Sequence, residues 1–165
     1  MCQVRLMTVA LLMALLAGCG HADKPVSKPT RPAFPLNGDA AILQSWQGDF
    51  PVARLESLPA NHREQGIGYI GNQDAFESVW KALKPDAAVP EIDFLNHLVL
   101  FVRNTQFYNR VSIGKIMVTE GVAEVLAMET MSAMPIEDKV AMSLAVISRE
   151  GITGLRSGSM VIPVK

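Results

Sequence analysis

An unbroken apolar run occupies Leu98-Val99-Leu100-Phe101-Val102. Side chains alternate between the two faces of a β-sheet, so a strand with one exposed face alternates between apolar and polar residues. A continuous apolar run instead is typical of a strand that is covered on both faces. The run therefore predicts a buried strand near the centre of the fold.

One amphipathic helix is predicted before this strand. Its apolar residues recur at the spacing i, i+3, i+4 and i+7, which places them on one face of a helix; they are Phe76, Val79, Trp80 and Leu83. Asn72 is suited to cap the start of the helix, and Pro85 prevents its continuation. The helix is therefore expected to pack one apolar face on a sheet.

The other apolar segments have β character. Strands are predicted at residues 40–46, 52–58, 66–70, 111–118, 122–128, 140–148 and 160–164. Thr119-Glu120-Gly121 has the composition of a hairpin turn, and Pro163 suggests that the last strand lies at an edge. The predicted fold class is α+β, with one amphipathic helix packed on an antiparallel sheet of six to eight strands that curls toward a barrel.

The middle of the chain resembles a known family. Trp80 in the helix is followed by Pro90-Glu91-Ile92-Asp93-Phe94 and then by Val99-Leu100-Phe101-Val102. This order is similar to the C-terminal domain of PrcB-type protease-complex lipoproteins, over roughly residues 70–118. The resemblance implies a non-enzymatic lipoprotein that associates with or stabilises an exported protease. Where that family continues with a Gly-Gly-Tyr turn, this chain has Phe107-Tyr108-Asn109-Arg110.

The N-terminus has the features of an export signal. A short segment with the single charge Arg5 precedes an apolar run of roughly ten residues, which is too short to span a bilayer. Leu16-Ala17-Gly18-Cys19 then resembles the bacterial lipoprotein signal. That resemblance implies a signal peptide at residues 1–18, cleavage before Cys19, and a diacylglyceryl group on the Cys19 thiol. Gly20, in the position where Asp would retain a lipoprotein, points to the outer membrane, facing the periplasm.

Residues 19–35 are expected to form a tether between the lipidated cysteine and a single domain at residues 36–165. Four prolines in this segment favour an extended conformation, which at about 3.1 Å per residue reaches roughly 50 Å. The chain has two cysteines, and Cys2 lies in the signal peptide. The mature domain therefore has neither a disulfide framework nor a thiolate metal site.

The charge balance argues against nucleic acid as a partner. The chain has 15 basic and 16 acidic residues, and only Arg5 lies within residues 1–18, so the mature chain carries a net charge of −2. It has no basic block of the kind that neutralises a phosphate backbone.

Two segments are candidates for function. Phe107-Tyr108-Asn109-Arg110 combines aromatic and Arg side chains, which are frequent anchors of protein interfaces. The alternative, which the pattern favours, is that Phe107 or Tyr108 points into the core and Arg110 into solvent. Met128, Met131 and Met134 repeat every three residues, and thioethers are soft ligands for Cu(I). The alternative is that these methionines fill gaps in the core, in a chain that has nine.

Other motifs favour structural roles. Phe94 is expected in the core and Asp93 as the cap of a turn. Gly66-Ile67-Gly68-Tyr69-Ile70-Gly71 matches the dinucleotide pattern, but polar residues precede it, which favours a glycine-rich strand. The three histidines have no metal-binding spacing, and no nucleophile motif is present.

The sequence thus predicts a membrane-anchored accessory lipoprotein that binds another exported protein, without enzymatic activity or a cofactor. The alternative is a copper-handling lipoprotein.

Overall fold

The predicted central strand is present as β4, His97–Arg103, and from Leu98 to Val102 every side chain is at most 3 % exposed. The computed structural model describes residues 37–58, 66–104, 110–130 and 138–165. All of them belong to one compact unit, Ala33–Lys165.

Nine strands and one α-helix are described. The remaining strands are β1 (Gly38–Asp39), β2 (Gln44–Pro51), β3 (Ile67–Ile70), β5 (Arg110–Thr119), β6 (Val122–Thr130), β7 (Lys139–Ser148), β8 (Gly154–Ser157) and β9 (Met160–Pro163), and the helix α1 spans Gln73–Leu83. The strands form a four-stranded sheet with the order β2-β7-β4-β3 and a five-stranded sheet with the order β1-β5-β6-β8-β9. All neighbouring strands are antiparallel except β6 and β8, which are parallel.

The four-stranded sheet is the middle layer, because both of its faces are buried. On β7, Met142, Leu144 and Val146 belong to a core shared with α1. The alternate residues Ala141 and Ala145 belong to a second core, between the two sheets. This alternation explains why β4 and β7 are apolar at nearly every position.

Helix α1 follows the prediction closely. The side chain of Asn72 accepts a hydrogen bond from the N–H of Ala75 at 2.9 Å, so the predicted cap is present. Phe76, Val79, Trp80 and Leu83 are all buried. The helix ends at Leu83, two residues before Pro85. The Trp80 ring packs edge-on against Trp46 of β2, at a centroid distance of 5.1 Å.

The β5–β6 hairpin also has the predicted turn. Glu120 and Gly121 both have positive φ, 52° and 79°, as a two-residue hairpin turn of the primed type requires. A bulge between Ile113 and Lys115 shifts the register of this pair. Before the bulge, the odd-numbered residues Val111 and Ile113 face the second core. After it, the even-numbered residues Ile116 and Val118 do so.

The strand prediction for residues 52–58 was wrong, and the prediction for residues 40–46 was wrong in part. Residues 52–57 form a short 3₁₀ helix, Val52–Ser57, instead of a strand. Leu55 and Leu58 both pack in the core and are three residues apart, which fits the three-residue period of a 3₁₀ helix. Residues 40–43 lie outside strand structure because the chain passes there from β1 in one sheet to β2 in the other.

The α+β fold class is confirmed, with one helix packed on antiparallel sheet. The strands are divided between two sheets, and the described residues contain no closed barrel. The predicted edge position of the last strand is also confirmed, since β9 ends the five-stranded sheet. Within the described ranges, no helix is long and apolar enough to cross a membrane.

Candidate functional site

Arg110 and Met128, the described members of the two predicted functional segments, lie at the same end of the domain, which we call the Arg110 end. Arg110 is the first residue of β5 and lies opposite Thr130, the last residue of β6. The N–H of Arg110 donates a hydrogen bond to the Thr130 hydroxyl at 3.3 Å. Arg110 and Thr130 therefore lie side by side at this end of the five-stranded sheet.

Strand β4 ends at the same place. The amide nitrogen of the Asn104 side chain donates to a Glu129 carboxylate oxygen at 2.9 Å, and both residues are near the ends of their strands. The backbone N–H of Asn104 also donates to the carbonyl of Ala141 in β7. The bond to Glu129 ties the two sheets together at the Arg110 end, and the bond to Ala141 joins β4 to β7 within the four-stranded sheet.

Of the predicted contact patch, only Arg110 lies within the described residues, where its side chain is exposed. Phe107, Tyr108 and Asn109 lie outside them. The contact role of the patch stays a prediction. Arg110, its one described member, lies at the end of a sheet and is accessible to a partner.

Arg103, which precedes Asn104, is one of two buried polar side chains among the described residues. It is 4 % exposed, and burial lowers the pKa of its guanidinium. Arginine remains charged in proteins because its ordinary pKa lies far above neutral pH. The charged guanidinium of Arg103 is therefore enclosed close to the Arg110 end. The backbone N–H of Arg103 donates a hydrogen bond to the carbonyl of Gly66 at 2.7 Å.

Met128 is on the outer face of β6, paired with Ser112, and its side chain is 66 % exposed. It is therefore not a core residue, which removes the gap-filling explanation for this methionine. Met131 and Met134 lie outside the described residues. No group of three or more His, Cys, Asp or Glu side chains within the described ranges is arranged to hold a metal ion.

Asp93 and Phe94 have the structural roles that the sequence predicted. The Asp93 carboxylate accepts hydrogen bonds from the Asn96 side chain at 2.6 Å and from the N–H of Leu95 at 3.1 Å. The bond from Asn96 is the main reason that the pKa of Asp93 is lowered. The Phe94 ring packs on Phe76 at a centroid distance of 6.1 Å. Asp93 is thus the cap of a turn.

The glycine-rich motif belongs to an antiparallel strand pair. Gly68 lies in β3 and pairs with Phe101 of β4. A dinucleotide site requires a parallel strand before the glycine turn, so this geometry favours the glycine-rich strand.

One surface feature was not predicted from the sequence. Two shallow depressions, of about 450 Å³ and about 610 Å³, lie on either side of Leu95 and share Arg149 as a lining residue. The Arg149 guanidinium donates to the carbonyls of Phe94, at 3.3 Å, and of Lys165. The signal that was available is Asp93, because an Asp side chain often accepts a hydrogen bond from the backbone N–H two residues on and so forms a turn.

Comparisons of the chain with protein-family models, with curated proteins and with solved structures find no match. The function is therefore inferred from the residues and geometry described above.

Proposed function

We propose that this protein is a lipid-anchored accessory module of the bacterial cell envelope, which binds another exported protein through its Arg110 end. The anchor is Cys19, placed after Leu16-Ala17-Gly18, and the proline-rich residues that follow would link the domain to the membrane. The resemblance to PrcB-type domains makes an exported protease the first partner to test.

The position of Asn37 is the observation that carries this proposal. Its side-chain oxygen accepts a hydrogen bond from the N–H of Glu120 at 2.7 Å, just beyond the last residue of β5. Arg110 is at the other end of this ten-residue strand. At about 3.3 Å per residue, the two ends are roughly 30 Å apart. A domain attached to a membrane through Asn37 can therefore present Arg110 to a partner.

The Arg110 end is also suited to binding because it is held in place. The Arg110–Thr130 and Asn104–Glu129 bonds fix the strand ends, so little conformational entropy is lost there when a partner binds. Arginine is frequent at interface hot spots because its planar guanidinium donates several hydrogen bonds.

Site-specific photocrosslinking in intact cells tests this proposal. A photoreactive residue replaces Arg110 in one variant and Arg156 in a control, since Arg156 is exposed on the outer face of β8. We expect one protein to be crosslinked repeatedly from position 110 and not from position 156. Crosslinking of no protein, or of the same proteins from both positions, would contradict the proposal.

A copper-handling lipoprotein is the second candidate, and the exposure of Met128 is what favours it. In this alternative Met128, Met131 and Met134 would supply three thioether ligands to Cu(I). A Cu(I) titration of the mature protein beside a Met128/Met131/Met134→Leu variant separates the two functions. Tight binding that the variant loses would establish metal handling, and no binding tighter than micromolar would exclude it.

A further inference from the structure

Leu95 is the most exposed large apolar side chain among the described residues, at 89 %. It lies in a turn that is closed by four hydrogen bonds to Asp93. The carboxylate of Asp93 accepts two of them, from Leu95 and Asn96. The Asp93 carbonyl accepts the other two, from the N–H groups of Asn96 and His97 at 3.1 and 2.8 Å. The turn therefore holds Leu95 outward in a defined position.

The turn is also braced by the strand beside it. The N–H of Arg149, just after β7, donates to the carbonyl of Asn96 at 2.8 Å, and the Arg149 guanidinium donates to the carbonyl of Phe94. Phe94 is itself packed on the helix–sheet core. An apolar side chain that is presented on a braced turn loses little entropy when it is buried by a second surface.

Leu95 lies at the end of the domain where Asn37 is found, which we call the Asn37 end. Asn37 binds the Glu120–Gly121 turn through the N–H of Glu120. The carbonyl of Gly121 accepts a hydrogen bond from the N–H of Thr153 at 2.8 Å. Thr153 follows Arg149 by four residues, and Arg149 holds the turn that carries Leu95. The chain that leads to Cys19 thus joins the domain at the end that displays Leu95.

A second leucine is exposed close to this end. Leu43 is 51 % exposed, and its N–H donates to the carbonyl of Val146 at 2.9 Å, two residues before the end of β7. Leu43 directly precedes β2, and Leu95 lies two residues before β4 in the same four-stranded sheet.

We infer that the Asn37 end contacts the lipid bilayer, and that Leu95 inserts between the headgroups. This inference rests on the proposed lipid anchor at Cys19. One leucine would bind a bilayer only weakly from free solution. A tether raises the effective concentration of the domain at the membrane to about the millimolar range, so that a weak contact becomes populated.

The charges around Leu95 indicate which lipids fit. Exposed carboxylates outnumber exposed free cations at the Asn37 end, since Asp93, Glu120 and Glu150 lie there with Lys165, while the guanidinium of Arg149 is engaged by backbone carbonyls. These carboxylates repel anionic headgroups and pair with the ammonium group of phosphatidylethanolamine. A bilayer rich in phosphatidylethanolamine is therefore the surface that this end matches.

Fluorescence of a dye on Leu95→Cys tests the inference on the lipidated mature protein in liposomes of phosphatidylethanolamine and phosphatidylcholine. Cys2 is removed with the signal and Cys19 carries the lipid, so the introduced thiol is the one free thiol. Met128→Cys, exposed at the Arg110 end, is the matched control. We expect a blue shift and about a twofold quenching by nitroxide-labelled lipid at position 95, no change at position 128, and weaker quenching when phosphatidylglycerol is added.

Three results would overturn the inference. A water-like spectrum at position 95, on protein whose mass shows the lipid at Cys19, would reject membrane contact and leave the anchor in place. A mass without lipid would reject the anchor and the contact together. Burial of the dye in native envelopes but not in liposomes would assign Leu95 to the pocket of a protein instead.

Discussion

The hydroxyl oxygen of Ser143 accepts a hydrogen bond from the backbone N–H of Ile113 at 3.3 Å, across the interface between the two sheets. Ser143 is completely buried in β7, and its hydroxyl also donates to the carbonyl of Trp46 at 3.3 Å. Ile113 precedes the bulge in β5. One serine thus joins strands of both sheets at the point where the regular ladder is interrupted.

Replacing Ser143 by Ala should destabilise the domain by about 1 to 3 kcal/mol, because the N–H of Ile113 is then buried without an acceptor. Urea unfolding of the mature protein measures this change. Ser45→Ala is the control, since Ser45 is exposed on the neighbouring β2. Equal unfolding midpoints for the two variants would mean that the Ser143 bond is not a structural link.

The cap of helix α1 gives a second prediction. Asn72→Ala removes the acceptor for the N–H of Ala75 and should cost about 1 kcal/mol of unfolding free energy. Asn72→Asp keeps an acceptor in the same position and should retain most of the stability. If Asp and Ala are equally destabilising in chemical denaturation, the side-chain cap does not contribute.

Alanine substitutions at two glycines with positive φ, Gly121 and Gly158, distinguish the cost of backbone strain from the cost of steric contact. An added Cβ at Gly121 would lie 2.9 Å from the carbonyl oxygen of Gly151, whereas at Gly158 it would meet nothing within 4 Å. Gly158→Ala should therefore cost about 1 kcal/mol, from the left-handed conformation alone. Gly121→Ala should cost about 2 to 3 kcal/mol, because strain and contact add. Thermal unfolding checks the order, and a smaller loss for Gly121→Ala would refute the assigned hairpin geometry.

The Asp93 turn should respond to acid. The pKa of Asp93 is lowered from its ordinary value of 3.8, mainly by the hydrogen bond from Asn96. A lowered pKa in the folded state means that the charged form contributes stability above the ordinary pKa. That contribution is lost as the pH falls through the lowered value.

The measurement is the pH dependence of unfolding for the wild-type protein and for Asp93→Ala. The two curves should be separated near neutral pH and should converge as the pH falls from 3.8 through the lowered pKa of the folded state, where the carboxyl group becomes protonated. A separation that stays constant into strong acid would show that the ionised carboxylate does not stabilise the turn.

Local patterns in the sequence were sufficient to predict α1, β4 and the β5–β6 hairpin. Their apolar spacing and their end signals, Asn72 and Glu120-Gly121, are properties of adjacent residues. The division of the strands between two sheets was not predictable in this way, because an alternating strand does not specify which sheet it joins. The parallel pairing of β6 with β8 likewise depends on contacts between distant residues.

The candidate site was predictable only in part. Arg110 and Met128 were singled out from the sequence, but their position at one end of the molecule follows from the register of β5 and β6. Leu95 was not singled out from the sequence, because it belongs to no motif and to no regular apolar spacing. Its exposure results from the turn that Asp93, Asn96 and Arg149 build together.

The mass of the N-terminal peptide, measured on protein extracted from membranes, tests whether this protein is a lipid-anchored module. We expect a peptide that begins at Cys19 and carries a diacylglyceryl group. A peptide that still includes residues 1–18, or one that begins at an unmodified residue, would contradict this expectation.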